Sequence, residues 1–418
     1  MSYLNMIKVI EEEWRKIDST IRDRINRSDR ALQQDSVESL LKELHGIFFQ
    51  TVDTVSQRLG IRYLTLMWKT LLEDIPHRLD KRTELSILVG LSRTYDTVGN
   101  WEEALEAYNE AINLARDLDE KEIEADILRW IGHLHRKRGR WRKAIESNKT
   151  SLSLSQDINY SIGSAYAFNN IGAIHFELGE LEEAREYFAK ALTIAEGQGE
   201  TRLRAQISNN MGIIANVQGD FEGAIASYHQ AIVGYESEGD VQGMAQTYYN
   251  MAICYEQKND DGVVSRHLDR SCELARDIGE KSLQAMIYLM KAKLSVKRGD
   301  YPAAASFKDR ALKTFHDLDD KIGIADSYRI EGIIFQKQKD YTQSESSFRK
   351  SIGLNKEIGN SLGLAEAYFD YGLLLREKED GRNEEILRES QALFMRFGAT
   401  RKIQLIDEII GGSNAPCR

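Results

Sequence analysis

The residues best suited to chemistry are amides that recur in one slot: Asn170, Asn210 and Asn250, with Asn169 and Asn209 immediately before two of them. An amide side chain both donates and accepts hydrogen bonds, so a ladder of amides one repeat apart suits the backbone of an extended peptide. Asn is a mediocre helix former, which makes its recurrence on helices informative. The alternative use is internal, with the amides bonding a neighbouring helix or loop to stabilise stacking. A second cluster is the run Arg136-Lys137-Arg138-Gly139-Arg140-Trp141-Arg142-Lys143. Residues 121–160 carry 9 basic and 5 acidic side chains, whereas 161–200 carry 2 and 7. A positive segment beside a negative one predicts a dock for an acidic partner segment, with Arg129 and Arg136 on the groove-facing helix. A solvated turn is the plainer reading of the same run. Trp130, Tyr166, Tyr249 and Phe369 fall near that face and suit the role of aromatic anchors.

Catalytic constellations are scarce. The chain has no phosphate-binding Gly-Lys loop, dinucleotide fingerprint, nucleophile elbow or Cys-x-x-Cys pair. His133 and His135 are two apart on a helix and diverge, so they do not form the i, i+4 pair that shares a metal. Cys254, Cys272 and Cys417 have no metal spacing, and their odd number gives no disulfide framework. Cys254 and Cys272 are expected to be buried thiols in a reducing compartment. Neither a cofactor, a metal nor an enzymatic centre is expected.

What positions these residues is a repeat. From about Lys81 to about Thr400 the chain repeats every 40 residues. Gly99, Gly139, Gly179, Gly219 and Gly299 share a slot with Asn259, Lys339 and Glu379. Five residues on stand Ala104, Ala144, Ala184, Ala224, Val264, Ala304, Ser344 and Glu384. Seven further stand Ala111, Ser151, Ala191, Ala231, Ser271, Ala311, Ser351 and Gln391. A fixed period of this length means one supersecondary unit stacked on copies of itself. Within residues 161–200, Ala165, Phe168, Ile171, Gly172, Ile174 and Phe176 recur at helical steps, giving one helix of about 17 residues. Leu178-Gly179-Glu180 ends it with glycine at the cap. A second helix begins at Leu181 and buries Ala184, Tyr187/Phe188, Ala191, Leu192 and Ala195. The aromatics Tyr228, Phe307, Phe348 and Phe394 are expected in the same core column. A further column of small residues, Gly132, Gly172, Gly212, Ala252, Ala292, Gly332 and Gly372, predicts a close crossing by the neighbouring helix.

These features resemble the tetratricopeptide repeat: a small residue in the first helix, Gly at the turn, then Ala, aromatic and Ala in the second. The usual unit has 34 residues. The longer period is similar to the repeats of kinesin light chains, Pins-type polarity adaptors and the sensor domain of the bacterial maltose activator. The resemblance implies an all-α, right-handed α-solenoid of antiparallel helix pairs, with first helices lining a concave groove that grips peptides. It also implies that Asn170, Asn210 and Asn250 hold ligand backbone. Ala173 and Ile213 stand where a carboxylate clamp would need polar residues, so an internal or extended peptide is expected rather than a C-terminal carboxylate.

The organisation follows. Residues 1–80 form an N-terminal helical region, with an amphipathic helix at 1–35 and a degenerate unit at 41–80. Residues 81–400 hold eight repeats. Residues 401–418 form a capping helix, with apolar Ile403, Leu405, Ile406, Ile409 and Ile410, and a flexible tail. The net charge of −10 argues against nucleic acid. The first residues lack a secretory pattern and no apolar run approaches membrane-spanning length, so a soluble, cytoplasmic protein is expected. The expected function is a non-enzymatic scaffold that binds a protein or peptide segment along the groove. The alternative is a peptide-sensing regulator, similar to bacterial quorum-sensing proteins, whose repeat domain changes shape on binding a short signalling peptide.

Overall fold

The computed structural model describes residues 81–411. Expectations for the 41–80 unit, the helix at 1–35 and the tail beyond 411 lie outside those residues. The chain divides into two compact units, residues 1–127 with 277–279 and residues 128–276 with 280–418.

The described residues hold seventeen helices and no strand: α1 (Lys81–Val98), α2 (Trp101–Asp117), α3 (Lys121–Lys137), α4 (Trp141–Asp157), α5 (Ser161–Glu177), α6 (Leu181–Gln198), α7 (Thr201–Gln218), α8 (Phe221–Ser237), α9 (Val241–Gln257), α10 (Asp261–Asp277), α11 (Lys281–Lys297), α12 (Tyr301–Asp317), α13 (Lys321–Lys337), α14 (Tyr341–Ile358), α15 (Ser361–Glu377), α16 (Asn383–Arg396) and α17 (Thr400–Gly411). Odd-numbered helices up to α15 are the first, or A, helices of eight successive pairs, and even-numbered ones are the B helices. The architecture is an α-solenoid of antiparallel pairs, with α17 after the last pair. No helix among the described residues is long and apolar enough to cross a membrane.

The period of 40 resolves into two half-units of 20. From Gly99 to Glu379 every twentieth residue has a positive φ, whether Gly (Gly139 +66°, Gly219 +90°) or not (Asp119 +56°, Lys339 +63°). The left-handed residue ends one helix and re-aims the chain for the next. Glycine enters that conformation freely, whereas other L residues adopt it at a cost. The cost is carried locally, as where the Lys339 amide bonds the Gln336 carbonyl at 2.9 Å. Several helices then start with a side-chain cap, including Asp220 to the Gly223 amide and Asp340 to the Gln343 amide.

The small-residue column marks the close crossing. A Cβ on Gly172 would sit 3.0 Å from the Phe188 ring, on Gly212 2.6 Å from Tyr228, and on Gly332 2.7 Å from Phe348. Phe188, Tyr228 and Phe348 are at most 2% exposed, and burying such a side chain contributes about 1.5–3 kcal/mol. Ala252 and Ala292 appear where the B helix offers Leu268 and Lys308 instead of a ring.

Three expectations are corrected. Phe307 lies one residue off the core column and stacks on Tyr288 with centroids 6.2 Å apart. Lys308 occupies the core slot, 7% exposed and bonded to Glu331 at 2.8 Å. Cys254 is buried, but Cys272 is only half-buried. In the last pair the B helix slips by one residue, so Leu387 and Ser390 turn inward and Glu384 is exposed. A carboxylate in the alanine column would be buried without a partner, so the slip leaves Glu384 in water; it also puts Leu387 rather than Arg388 in the ring slot under Gly372.

Candidate peptide-binding site

All ten candidate residues belong to the second unit and sit on A helices. Arg129 and Trp130 are on α3, and the Arg129 guanidinium lies 5.4 Å from the Trp130 ring centre and 4.7 Å from that of Tyr166 on α5. These three therefore form one cation–aromatic group. Arg136, near the end of α3, reaches Glu177 of α5 at 3.5 Å. His133, beside this basic end, is held well below the usual histidine range by burial and by Lys137, Arg136 and Arg129. It stays neutral at pH 7.

The asparagines are joined from repeat to repeat. Asn210 Nδ2 donates to Asn169 Oδ1 at 3.0 Å, and Asn250 Nδ2 donates to Asn209 Oδ1 at 3.0 Å. Thr247 adds a second donor to Asn209 at 3.2 Å. Asn170 Nδ2 donates back to Asn148 Oδ1 on α4 at 3.1 Å. The internal use of the amides is thus present. It engages the nitrogens of Asn170, Asn210 and Asn250 and the oxygens of Asn169 and Asn209, and among the described residues the Oδ1 atoms of the half-buried Asn170 and Asn210 accept no hydrogen bond.

One rule underlies these pairs: a residue on one A helix meets the residue 41 positions later on the next. It joins Asn169 to Asn210, Asn209 to Asn250, Arg136 to Glu177, Glu256 to Lys297, Arg329 to Asp370 and Gln336 to Glu377. Successive A helices run parallel with a small axial offset, so the facing partner is one period plus one residue away. Columns drawn at a strict period of 40 miss these pairs.

The feature that sequence reading missed lies on α13 and α15. Arg329 stands in the register of Arg129, Asn169, Asn209 and Tyr249, and pairs with Glu366 at 2.7 Å and Asp370 at 2.9 Å. Asp326 is 4.0 Å from its guanidinium. Asp370 shares the slot of Asn170, Asn210 and Asn250 at the period of 40, but its partner becomes visible only at the spacing of 41. Burial tends to lower the Arg329 pKa, yet Glu366, Asp370 and Asp326 outweigh it and hold the cation firmly. The Asp326 carboxyl is pushed up to about 6 by the surrounding protein and by Glu366, with Arg329 opposing. Its side chain is 38% exposed, so water reaches it while the walls around it weaken its solvation. Tyr249 on α9 is raised by burial and by Asp326, with Arg329 opposing, which places it among the same charges. Arg329 itself is 15% exposed and its Nε is buried without a bond.

The basic run is partly used within the chain. Arg138 is 5% exposed and bonds Asp319 at 2.9 Å, whereas Arg140, Arg142 and Lys143 are exposed.

The sequence profile described as tetratricopeptide repeat matches residues 123–197 and 203–277, and that described as anaphase-promoting complex subunit 5 matches residues 29–138. Among curated proteins nothing matches. Among solved structures the chain is similar to the Rap conjugation gene regulator of plasmid pLS20 in complex with the Phr* peptide, at 14% identity and a TM-score of 0.55, covering 84% of this chain and 98% of that one. It is also similar to NprR in complex with its cognate peptide NprX, at 14% identity and a TM-score of 0.51, covering 68% and 84%. At such identity the likeness concerns the fold. Profile, period and helix pairing agree, and the chain is a tetratricopeptide-repeat protein.

Proposed function

We propose that this protein is a non-enzymatic scaffold that binds an extended peptide or protein segment along the A-helix face of its second unit. The observation that carries this reading is the pair of spare amide acceptors, Asn170 and Asn210 Oδ1, on consecutive A helices with Trp130, Tyr166 and Tyr249 on neighbouring turns. Amide acceptors one repeat apart match the recurring backbone N–H groups of an extended chain. The expected acidic character of the ligand finds support only in the exposed Arg140, Arg142 and Lys143, since Arg136 and Arg138 already face Glu177 and Asp319.

The likeness to two proteins solved with bound peptides, one of them a conjugation gene regulator, favours the second reading, a peptide-sensing regulator. Small-angle scattering with and without a selected peptide separates the two, because a regulator changes its radius of gyration and a scaffold keeps it.

The test is selection of short peptides from a phage-displayed library on the purified protein, followed by calorimetry. Each amide hydrogen bond to the ligand is worth about 1 kcal/mol, so Asn170→Ala and Asn210→Ala together, which remove the two spare acceptors, should weaken binding by roughly thirtyfold. Unchanged affinity together with lower stability overturns the groove reading.

A further inference from the structure

Within the second unit, turns between A and B helices pack rung by rung on turns and helix ends far later in the chain. On the first rung Gly139 faces Ile358, Trp141 faces Gly359, and Arg138 bonds Asp319 at 2.9 Å. On the second, Arg396 donates to the Leu178 carbonyl at 2.5 Å, and Phe397 meets Phe176 edge to face at 5.7 Å, against Gly179. On the third, Arg401 lies 5.1 Å above the Phe221 ring, touches Gly219 and donates to the Gln257 carbonyl at 3.3 Å.

This seam differs from the packing inside each repeat. It joins turns and helix ends, a few contacts per rung with Trp141, Phe176 and Phe397 buried among them, rather than interlocking helix faces. Its ionic rung pairs a buried Arg138 with an Asp319 that is 62% exposed, so solvent and salt reach it. We propose that the seam is a reversible latch, and that its opening admits a bulky chain segment to the A-helix face. The inference builds on that face being the binding face, but the test below reads access alone, so its failure leaves the binding assignment standing.

A Cβ on Gly139 would lie 3.3 Å from the Ile358 Cβ, near the roughly 3.5–4.5 Å span of a disulfide. Lys339 and Glu379 occupy the same turn slot with positive φ, so a cysteine is tolerated at 139. In a background of Cys254→Ser, Cys272→Ser and Cys417→Ser, the pair Gly139→Cys and Ile358→Cys should cross-link on mild oxidation far more than the mismatched pair Gly179→Cys and Ile358→Cys. A reporter, Gln206→Cys, shares the inner register of Tyr166 and Asp326. A polyethylene-glycol maleimide should label it at least tenfold more slowly when the seam is locked, with recovery after reduction, whereas N-ethylmaleimide should be little affected. A second route avoids the glycine: Arg138→Glu should speed bulky labelling and added Asp319→Arg should reverse it. Equal bulky labelling in locked and reduced protein, equal cross-linking of matched and mismatched pairs, or no reversal by the charge swap each overturns the latch.

Discussion

Helices α5, α7 and α9 present the same registers to the same face as α13 and α15, yet the two groups join their repeats by different chemistry. In the first, neutral amides pair at 3.0 Å. In the second, a guanidinium meets carboxylates at 2.7 and 2.9 Å. Repeat geometry dictates which positions meet, at 41 residues apart in both. Residue type dictates how the joint responds to its surroundings: the amide region should be indifferent to pH, and the charged region should not. The amide region also keeps acceptors to offer a ligand, whereas the charged region directs most of its polarity inward.

The largest expected effect follows from removing the cation. Arg329→Ala leaves Glu366, Asp370 and Asp326 facing one another, and breaking a buried ion pair costs about 3–5 kcal/mol. Partial exposure of the carboxylates places the cost near the lower end, about 3 kcal/mol. Denaturant titration checks this, and a loss below roughly 1 kcal/mol, as for an exposed pair, breaks the contrast between the two regions.

An amide substitution should cost less. Asn209→Ala removes the acceptor of both Asn250 and Thr247 and leaves a buried donor unsatisfied, for about 1–3 kcal/mol. Adding Asn250→Ala should cost less than the sum of the two single changes, because the partner is already orphaned. Strict additivity shows that the ladder does not act as a pair.

The smallest effect concerns pH and sharpens the comparison most directly. The Asp326 carboxyl titrates near 6 in the folded protein, above the roughly 3.9 of an unfolded chain. The folded state therefore binds this proton more tightly. Stability from this group is fully present below the unfolded value and is lost as pH rises through 6. Hydrogen exchange across α13 should slow between pH 7 and pH 5 after correction for intrinsic rates, while α7 changes little. Asp326→Asn should abolish the difference; a persistent difference assigns it to another group.

Much of the fold was legible because its determinants are local or strictly periodic. The left-handed turn slot announces itself through Gly99, Gly139, Gly179, Gly219 and Gly299, and the close helix crossing through Gly172, Gly212 and Gly332. The exceptions arose where packing chose between neighbours. Lys308 rather than Phe307 fills the core slot because its ammonium finds Glu331, and α16 slips by one residue to keep Glu384 in water. The candidate binding face was less legible. Its inner column stands out as a row, but each side chain's partner depends on the axial offset of the next helix, a property of packed helices that no single column displays.

Alone, the sequence determined the unit: a helix pair of fixed length, its turns, its buried stripe and the slots that carry the amides. Those follow from backbone sterics and helical periodicity, which act over a few residues. The tertiary structure decided which repeats speak to each other. Arg329 with Asp370, and Arg138 with Asp319 across 181 residues, come together only because the rise and offset of each stacked pair accumulate along the array, and that sum is set by packing rather than by any one repeat.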